Sequence, residues 1–224
     1  MKAAARLPDS VWSGRPTAQE IERRKRKVIA VAADSFLKLG FAETTIRGIA
    51  KTSRVTVRTI NHHFTSKEAL FREAILARVS EASVLPVFDG KSNLTDFLRA
   101  LACDCQEKAL HSCSIEVVRL LIAESARLPE MIGEIGIAMN SRFQIDLAAR
   151  FRALAEFGLI PGGDHDRSAQ LFTDLLLGNR AMMFYAGWTG GPAVEADIAA
   201  KVDLFIRGRF GARFAEASAS PRVP

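Results

Sequence analysis

Apolar residues recur every three to four positions along most of the chain, and no stretch alternates apolar with polar as a half-buried strand does. The first element opens at Thr17, which forms a capping-box pattern with Glu20. It carries Ile29, Ala32, Ala33, Phe36 and Leu37 on one face and is stopped by Gly40. Two short helices come next, Thr45 to Lys51 and Thr56 to Phe64, each opened by a threonine whose hydroxyl can cap free backbone donors. Ser66 caps a longer helix from Lys67 to about Leu85, where Pro86 and the Asp89-Gly90 pair break it. The pattern then predicts helices over Leu94 to Leu110, Ser114 to Ser125 and Pro129 to Phe157. In the last of these Pro129 suits the first turn and Gly158 the left-handed position past the end. Asp164 caps a helix from His165 to Tyr185, and a final helix runs from Val194 to Phe210. The expected fold class is all-α, with about nine helices and no internal repeat. An arm over 1–16 and a tail over 213–224 lack periodicity and fit disorder.

A chain of 224 residues can bury an adequate core in one domain or two. Three cysteines cannot close a disulfide framework, which favours a reducing compartment and a cytoplasmic protein. No apolar run approaches the ~18 residues needed to span a bilayer, so neither export nor membrane insertion is expected. The net charge of +6 is informative through its distribution. Residues 1–80 contain 16 Lys and Arg against 7 Asp and Glu, whereas residues 81–224 contain 15 against 18. The basic part suits a polyanion such as double-stranded DNA, because neutralising phosphates releases condensed counterions.

Within that basic part, Arg47 to Phe64 reads as helix, tight turn, helix, with Ile46, Ile49 and Ala50 packing inward against Val55 and Ile60. Such a unit lays its second helix in the major groove while the first crosses the backbone. The stretch RKRKVIAVAADSFLKLGFAETTIRGIAKTSRVTVRTINHHFTSKEALFREAI, residues 25–75, resembles the DNA-binding domain of the TetR family. The resemblance rests on Ala32, Ala33, Phe36 and Gly40, on the run from Thr44 to Ala50, on Val55-Thr56, on His63-Phe64, and on Ser66-Lys67-Glu68 with Leu70. It implies a three-helix DNA-binding domain over 17–66, a helical ligand-binding and dimerisation domain over 67–212, operator binding as a two-fold dimer, and usually repression relieved by a small molecule. The sequence departs from the family pattern at Arg54, where the turn usually has Gly, at Arg58, where Gly or Ala is frequent, and at Asn61, where Tyr commonly contacts phosphate.

Thr56, Val57, Arg58 and Thr59 are the candidate base readers, Arg58 by a bidentate contact to guanine and the methyls of Val57 and Thr59 against thymine. Thr45, Arg47, Asn61, His62, His63 and Lys67 are the candidate phosphate contacts, and Arg54 adds a cation near the backbone. The run Arg23-Arg24-Lys25-Arg26-Lys27 is either a solvated face or a source of non-specific affinity. His62 and His63 are adjacent in a helix, point about 100° apart, and lack a spaced Cys or acidic partner, so no metal is expected there.

The later helices are expected to dimerise and to sense an effector. LIAESARLPEM and the stretch from Phe172 to Asn179 are similar to AefR-like regulatory domains. The helix from His165 has two apolar stripes, Leu171, Leu175, Gly178 and Met182 on one, Phe172, Leu176 and Met183 on the other. One stripe can meet the subunit's own core; the second needs a partner copy. Val194, Ile198, Val202 and Phe205 form a comparable stripe on the last helix; the stripes either meet only the chain's own core or pair across a two-fold axis as a four-helix bundle, and on the second reading the dimer interface is expected at Leu171, Leu175, Met182, Ile198, Val202 and Phe205. Candidate ligand contacts are Arg119, Ile122, Met139, Phe143, Leu147, Tyr185 and Trp188, with Arg119 needing Glu116 or Glu124 if it faces inward. Cys103, Cys105 and Cys113 read as small buried thiols, since two of them lie on opposite sides of one helix. No P-loop, dinucleotide fingerprint, nucleophile elbow, HExxH or CxxC is present, and Asp164-His165-Asp166 sits at a helix start where acids are expected. No cofactor is implied. The competing readings are a ligand-independent architectural DNA-binding protein and an all-helical enzyme.

Overall fold

The structure, a computed structural model, describes residues 17–80, 85–188 and 195–211. The arm over 1–16, the tail over 213–224 and Val194 lie outside the described residues. Among the described residues there are nine α-helices and no strand. They are α1 (Ala18–Glu43), α2 (Ile46–Ser53), α3 (Val57–His63), α4 (Lys67–Ser80), α5 (Leu94–Leu110), α6 (Ser112–Glu124), α7 (Pro129–Glu156), α8 (His165–Tyr185) and α9 (Glu195–Phe210). None is long and apolar enough to cross a membrane.

Short-range chemistry sets most helix ends. The Thr17 hydroxyl accepts the Glu20 N–H at 3.2 Å while the Glu20 carboxylate accepts the Thr17 N–H at 3.0 Å. Ser66 caps α4 through the Ala69 N–H at 3.1 Å, and Asp164 caps α8 through the Arg167 N–H at 2.9 Å. Leu85 was expected to end α4 but lies outside any helix, because the next residue, Pro86, disfavours helical backbone at residue 85.

Two hydrophobic clusters hold the chain. The first gathers Val28, Ala32, Ala33 and Phe36 of α1, Ile49 and Ala50 of α2, Ile60 of α3 and Leu70, Phe71, Ala74 and Ile75 of α4. It also takes Val117, Leu120 and Leu121 from α6 and Ile132 and Ile135 from the start of α7. The second contains Leu85 and Phe88, the inward face of α5, Leu147, Ala148, Phe151 and Leu154 from the latter part of α7, and residues of α8 and α9. The helix α7 therefore belongs to both, and from Gly136 to Asp146 it buries nothing fully.

The sequence assigned Ile198, Val202 and Phe205 to a face meeting a second subunit. In the structure all three are buried in the subunit itself, at 6%, 0% and 5% exposure. The reason is that α9 packs against both α5 and α8 and uses its apolar stripe to cover them. The Phe205 ring lies 4.9 Å from Phe172 and 5.5 Å from Phe210. What α9 leaves outward is the row Ala196, Ala200, Leu204 and Gly208, with the charged Asp197, Asp203 and Arg207 exposed beside it. On α8, Leu171 and Leu175 are half-buried and Met182 is exposed.

The helix α8 is broken once, at Gly178 (φ 31°, ψ −131°). The buried Gln106 side chain donates to the Leu176 carbonyl at 2.9 Å beside the break, so a backbone acceptor loosened there keeps a partner. Arg209 closes the α8–α9 hairpin, donating to the Asp164 carbonyl at 2.7 Å and to Ser168 Oγ at 3.0 Å.

Candidate nucleic-acid interface

The α2–α3 unit is built around Ile49, Ala50, Ile60 and Phe64, all buried. Thr45 Oγ1 accepts the Gly48 N–H and Thr56 Oγ1 accepts the Thr59 N–H, each at 3.1 Å, so both helices begin with a side-chain cap. Between them Arg54 adopts φ 58°, ψ 43°, the one non-glycine with positive φ among the described residues. That left-handed residue makes the turn, and the Val55 N–H then returns to the Ala50 carbonyl at 3.0 Å. Where the sequence resemblance expects Gly, an arginine thus adopts the left-handed conformation that glycine favours.

With Ile60 turned inward, α3 exposes Thr56, Arg58, Asn61 and His62. Thr45, Arg47 and Arg54 are exposed as well. Lys51, absent from the expected contacts, is also exposed and lies one helical turn after Arg47. The i, i+4 spacing of Arg47 and Lys51 is the signal that could have found it. Three candidates are less free than expected. Val57 is half-buried against the first cluster, and the Thr59 hydroxyl lies 2.8 Å from that of Thr56. His63 is half-buried, its ring against those of His62 and Phe64.

Lys67, expected on a phosphate, is folded back onto the end of α1. Its ammonium donates to the Ala42 carbonyl at 3.2 Å and sits 4.5 Å from the centroid of the Phe41 ring. Lys25, in the middle of the basic run, is likewise turned to the protein. It pairs with Glu73 at 2.6 Å, and that hydrogen bond, ahead of the cost of burial, holds its ammonium above the usual lysine range. Arg23, Arg24 and Lys27 remain exposed, and Arg26 is 3.7 Å from Glu22.

Comparison with known proteins places this unit in a family. Residues 28–74 match the model for bacterial regulatory proteins of the TetR family, and residues 96–208 match that for the C-terminal domain of AefR-like transcriptional repressors. The chain belongs to the TetR family. Similar solved structures include a TetR-family regulator from Mesorhizobium loti, 22% identical with a TM-score of 0.70, the match covering 84% of this chain and 97% of that one. Another is the flavonoid-responsive regulator FrrA, 26% identical with a TM-score of 0.72 and the same coverage of 84% and 97%. A third, from Agrobacterium tumefaciens, is 16% identical with a TM-score of 0.68, over 88% of this chain and 98% of that one. No curated protein matches in sequence. The chain is thus a DNA-binding transcriptional regulator.

In the regulatory half of this TetR-family protein the seven candidate ligand contacts do not gather as one set, although Arg119 meets the Tyr185 backbone. Leu147 is fully buried in the second cluster, because α7 uses it to cover α8, whereas Ile122 is 56% exposed. Arg119 is exposed and needs no acid: it donates to the Phe184 carbonyl at 2.7 Å and the Tyr185 carbonyl at 3.1 Å, satisfying the end of α8. Tyr185 is half-buried, and burial pushes its phenol up. Trp188 is exposed, 5.3 Å from the Phe184 ring and 5.7 Å from the Arg180 guanidinium. Met139 and Phe143 sit one turn apart on α7, the former packed on the first cluster and the latter on the second. Open grooves of about 550 Å³ between α4 and α7, and about 340 Å³ between α7 and the start of α8, are lined by none of the seven.

The cysteines differ from one another. Cys103 is exposed, Cys113 half-buried and Cys105 buried, so the expectation of small buried thiols describes Cys105 alone. Burial pushes the Cys105 thiol up to about 12, which leaves it unreactive. Among the described residues no three of His, Cys, Asp and Glu are placed to hold a metal ion. Asp164 is spent on its cap and Asp166 pairs with Arg152 at 2.6 Å, so that triplet holds helices in place.

Proposed function

We propose that this regulator acts in the cytoplasm as a homodimeric repressor that reads an operator through α2 and α3 and releases it when a small molecule binds the regulatory half. The observation carrying the DNA-reading part is the division of α3: Ile60 is locked in the core while Arg58, Asn61 and His62 face solvent behind a Thr56-capped start. That is the arrangement a recognition helix needs to reach base edges without disturbing its own packing. In this reading Thr56 and Arg58 face bases, and Thr45, Arg47, Lys51, Arg54, Asn61 and His62 face the sugar-phosphate backbone.

The dimer in this reading forms through the outward sides of α8 and α9, on Leu171, Leu175 and Met182 with Leu204. Met182 and Leu204 are 63% and 60% exposed in the isolated subunit, a cost that a two-fold partner removes. The effector enters the seam between the two hydrophobic clusters, where α7 buries nothing fully and Met139 and Phe143 face different neighbours. The flavonoid response of the 26% identical FrrA makes flavonoids the first effector class to try.

The test is selection of duplexes from a random pool by the whole protein, then titration against the selected duplex. Binding should weaken steeply with salt, and Arg58→Ala should cost about 1–3 kcal/mol on the selected duplex but little on unrelated DNA. Equal losses on both demote Arg58 to a phosphate contact. A flavonoid panel should contain compounds that dissociate the complex. A selected complex that no small molecule reverses supports the architectural reading instead.

A further inference from the structure

The segment Gly40–Thr44, between the body of α1 and the cap of α2, is held by side chains of two other helices, α6 and α4. At Gly40 the backbone leaves helical geometry (φ 77°, ψ 175°), so the next amide, Phe41 N–H, loses its place in the helix ladder. It is taken up by a residue 83 positions away: Glu124 Oε1, at the end of α6, accepts it at 2.9 Å. A side chain at residue 40 would put its Cβ 3.1 Å from that same oxygen, so both the positive φ and the approach of the carboxylate require glycine there. From α4, Lys67 holds the Ala42 carbonyl and lies against the Phe41 ring. That ring also meets Phe71, on the same helix as Lys67, edge-on at 5.3 Å.

Glu124 is unusual for a charged residue. It is 7% exposed, one carboxylate oxygen has no hydrogen-bond partner, and its nearest cation, Arg127, stands 4.0 Å off. Burying a carboxylate with so little compensation costs stability, and the contact it makes is with a backbone amide of the DNA-reading half. At the other end of this stretch of α6, Arg119 grips the last carbonyls of α8. One helix thus touches both the proposed dimer helix and the segment that leads into α2.

We propose that Glu124 is a positioning residue for operator recognition: its hydrogen bond to the Phe41 amide fixes where α2 and α3 stand relative to α6, and through α6 relative to the rest of the subunit. The proposal rests on the operator-reading function above. Glu124 touches no DNA; it acts by holding the segment from which α2 departs.

The full chain is tested as Glu124→Ala and Glu124→Gln against wild type, using the duplex that wild type selects from a random pool and an unrelated duplex of equal length. Glu124→Ala should melt as a folded protein and bind the unrelated duplex as wild type does, yet lose about tenfold or more on the selected duplex. Glu124→Gln, whose amide oxygen can still accept, should recover most of that loss. Hydrogen exchange without DNA should show the Phe41 amide and the amides of α2 exchanging faster in Glu124→Ala and near wild type in Glu124→Gln. Unchanged selected-duplex affinity in Glu124→Ala, equal losses on both duplexes, or a Gln variant as impaired as the Ala variant overturns the proposal. If wild type selects no duplex, the operator-reading function has failed on its own account; the exchange of Phe41 and α2 then decides the positioning contact, and α2 amides indifferent to Glu124→Ala overturn it.

Discussion

The two hydrophobic clusters are assembled in different ways. The one around α5, α8 and α9 is rich in rings, with Phe88, Phe97, Phe151, Phe172, Phe205 and Phe210 buried together. The one under α2 and α3 has fewer, Phe36, Phe64 and Phe71, and is completed by α6 and the start of α7, which in chain order belong to the regulatory half. The second arrangement means that packing does not stop where the DNA-reading motif stops. A change in α6 is a change in the core of the reading head, without any added linkage between them.

The largest effect expected from this difference is on a fragment. Residues 17–66 contain the whole three-helix motif but none of Leu70, Phe71, Ala74, Ile75, Val117, Leu121 or Ile135, which close its core. The fragment should show no cooperative thermal transition; a sharp one places the core inside the motif and removes the contrast. Next comes a pair of neighbours on α9. Phe205→Glu puts a charge among rings and should unfold the subunit, at a cost above about 4 kcal/mol. Leu204→Glu should leave it folded and, if the outward row meets a partner, monomeric by light scattering. Folded, dimeric protein from both would mean α9 is packed otherwise.

A smaller effect is confined to the head. Arg54→Gly relieves a left-handed arginine and should raise stability by about 1 kcal/mol in urea denaturation. A loss instead shows that the Arg54 side chain contributes more than its backbone costs. The smallest belongs to the body. Burial first, then the Arg152 and Arg209 guanidinium groups, hold His165 below the ordinary imidazole value. The unfolded chain takes up a proton near pH 6.5 while the folded one resists, so this contribution is intact above about 6.5 and is lost as pH falls toward the depressed value. Melting temperatures between about pH 7 and pH 5 should therefore fall less in His165→Gln than in wild type.

Many helix ends were legible because they are written locally: Thr17, Thr45, Thr56 and Asp164 cap the helices they precede, and Gly40 and Gly158 have positive φ (77° and 67°) where the sequence calls for a stop. The start of α6 was not, since the helix begins at Ser112 under a His111 cap and not at Ser114. The turn at Arg54 was legible too, through the motif around it. What a stripe faces was not. Periodicity marks Ile198, Val202 and Phe205 as one apolar face but is silent on whether the same chain or another covers it. Lys67 was read as a phosphate contact from its place in the motif, and its contacts to Phe41 and Ala42 at the end of α1 depend on tertiary packing that the motif does not spell out. Glu124 was read only as a possible acid for Arg119, and its actual partner, a backbone amide far away in sequence, leaves no mark in the residue pattern.

The break at Gly178 divides α8 into a proximal piece, anchored by Phe172 and Leu176 in the ring-rich core, and a distal piece whose Met182 is open and whose last carbonyls are gripped by Arg119. Each piece is held by a different helix, the proximal one by α5 through Gln106 and the distal one by α6 through Arg119. In the proposed dimer, Leu171 and Leu175 on the proximal piece and Met182 on the distal piece would therefore answer to different neighbours within the subunit, so that a change in α5 and a change in α6 reach different parts of one face.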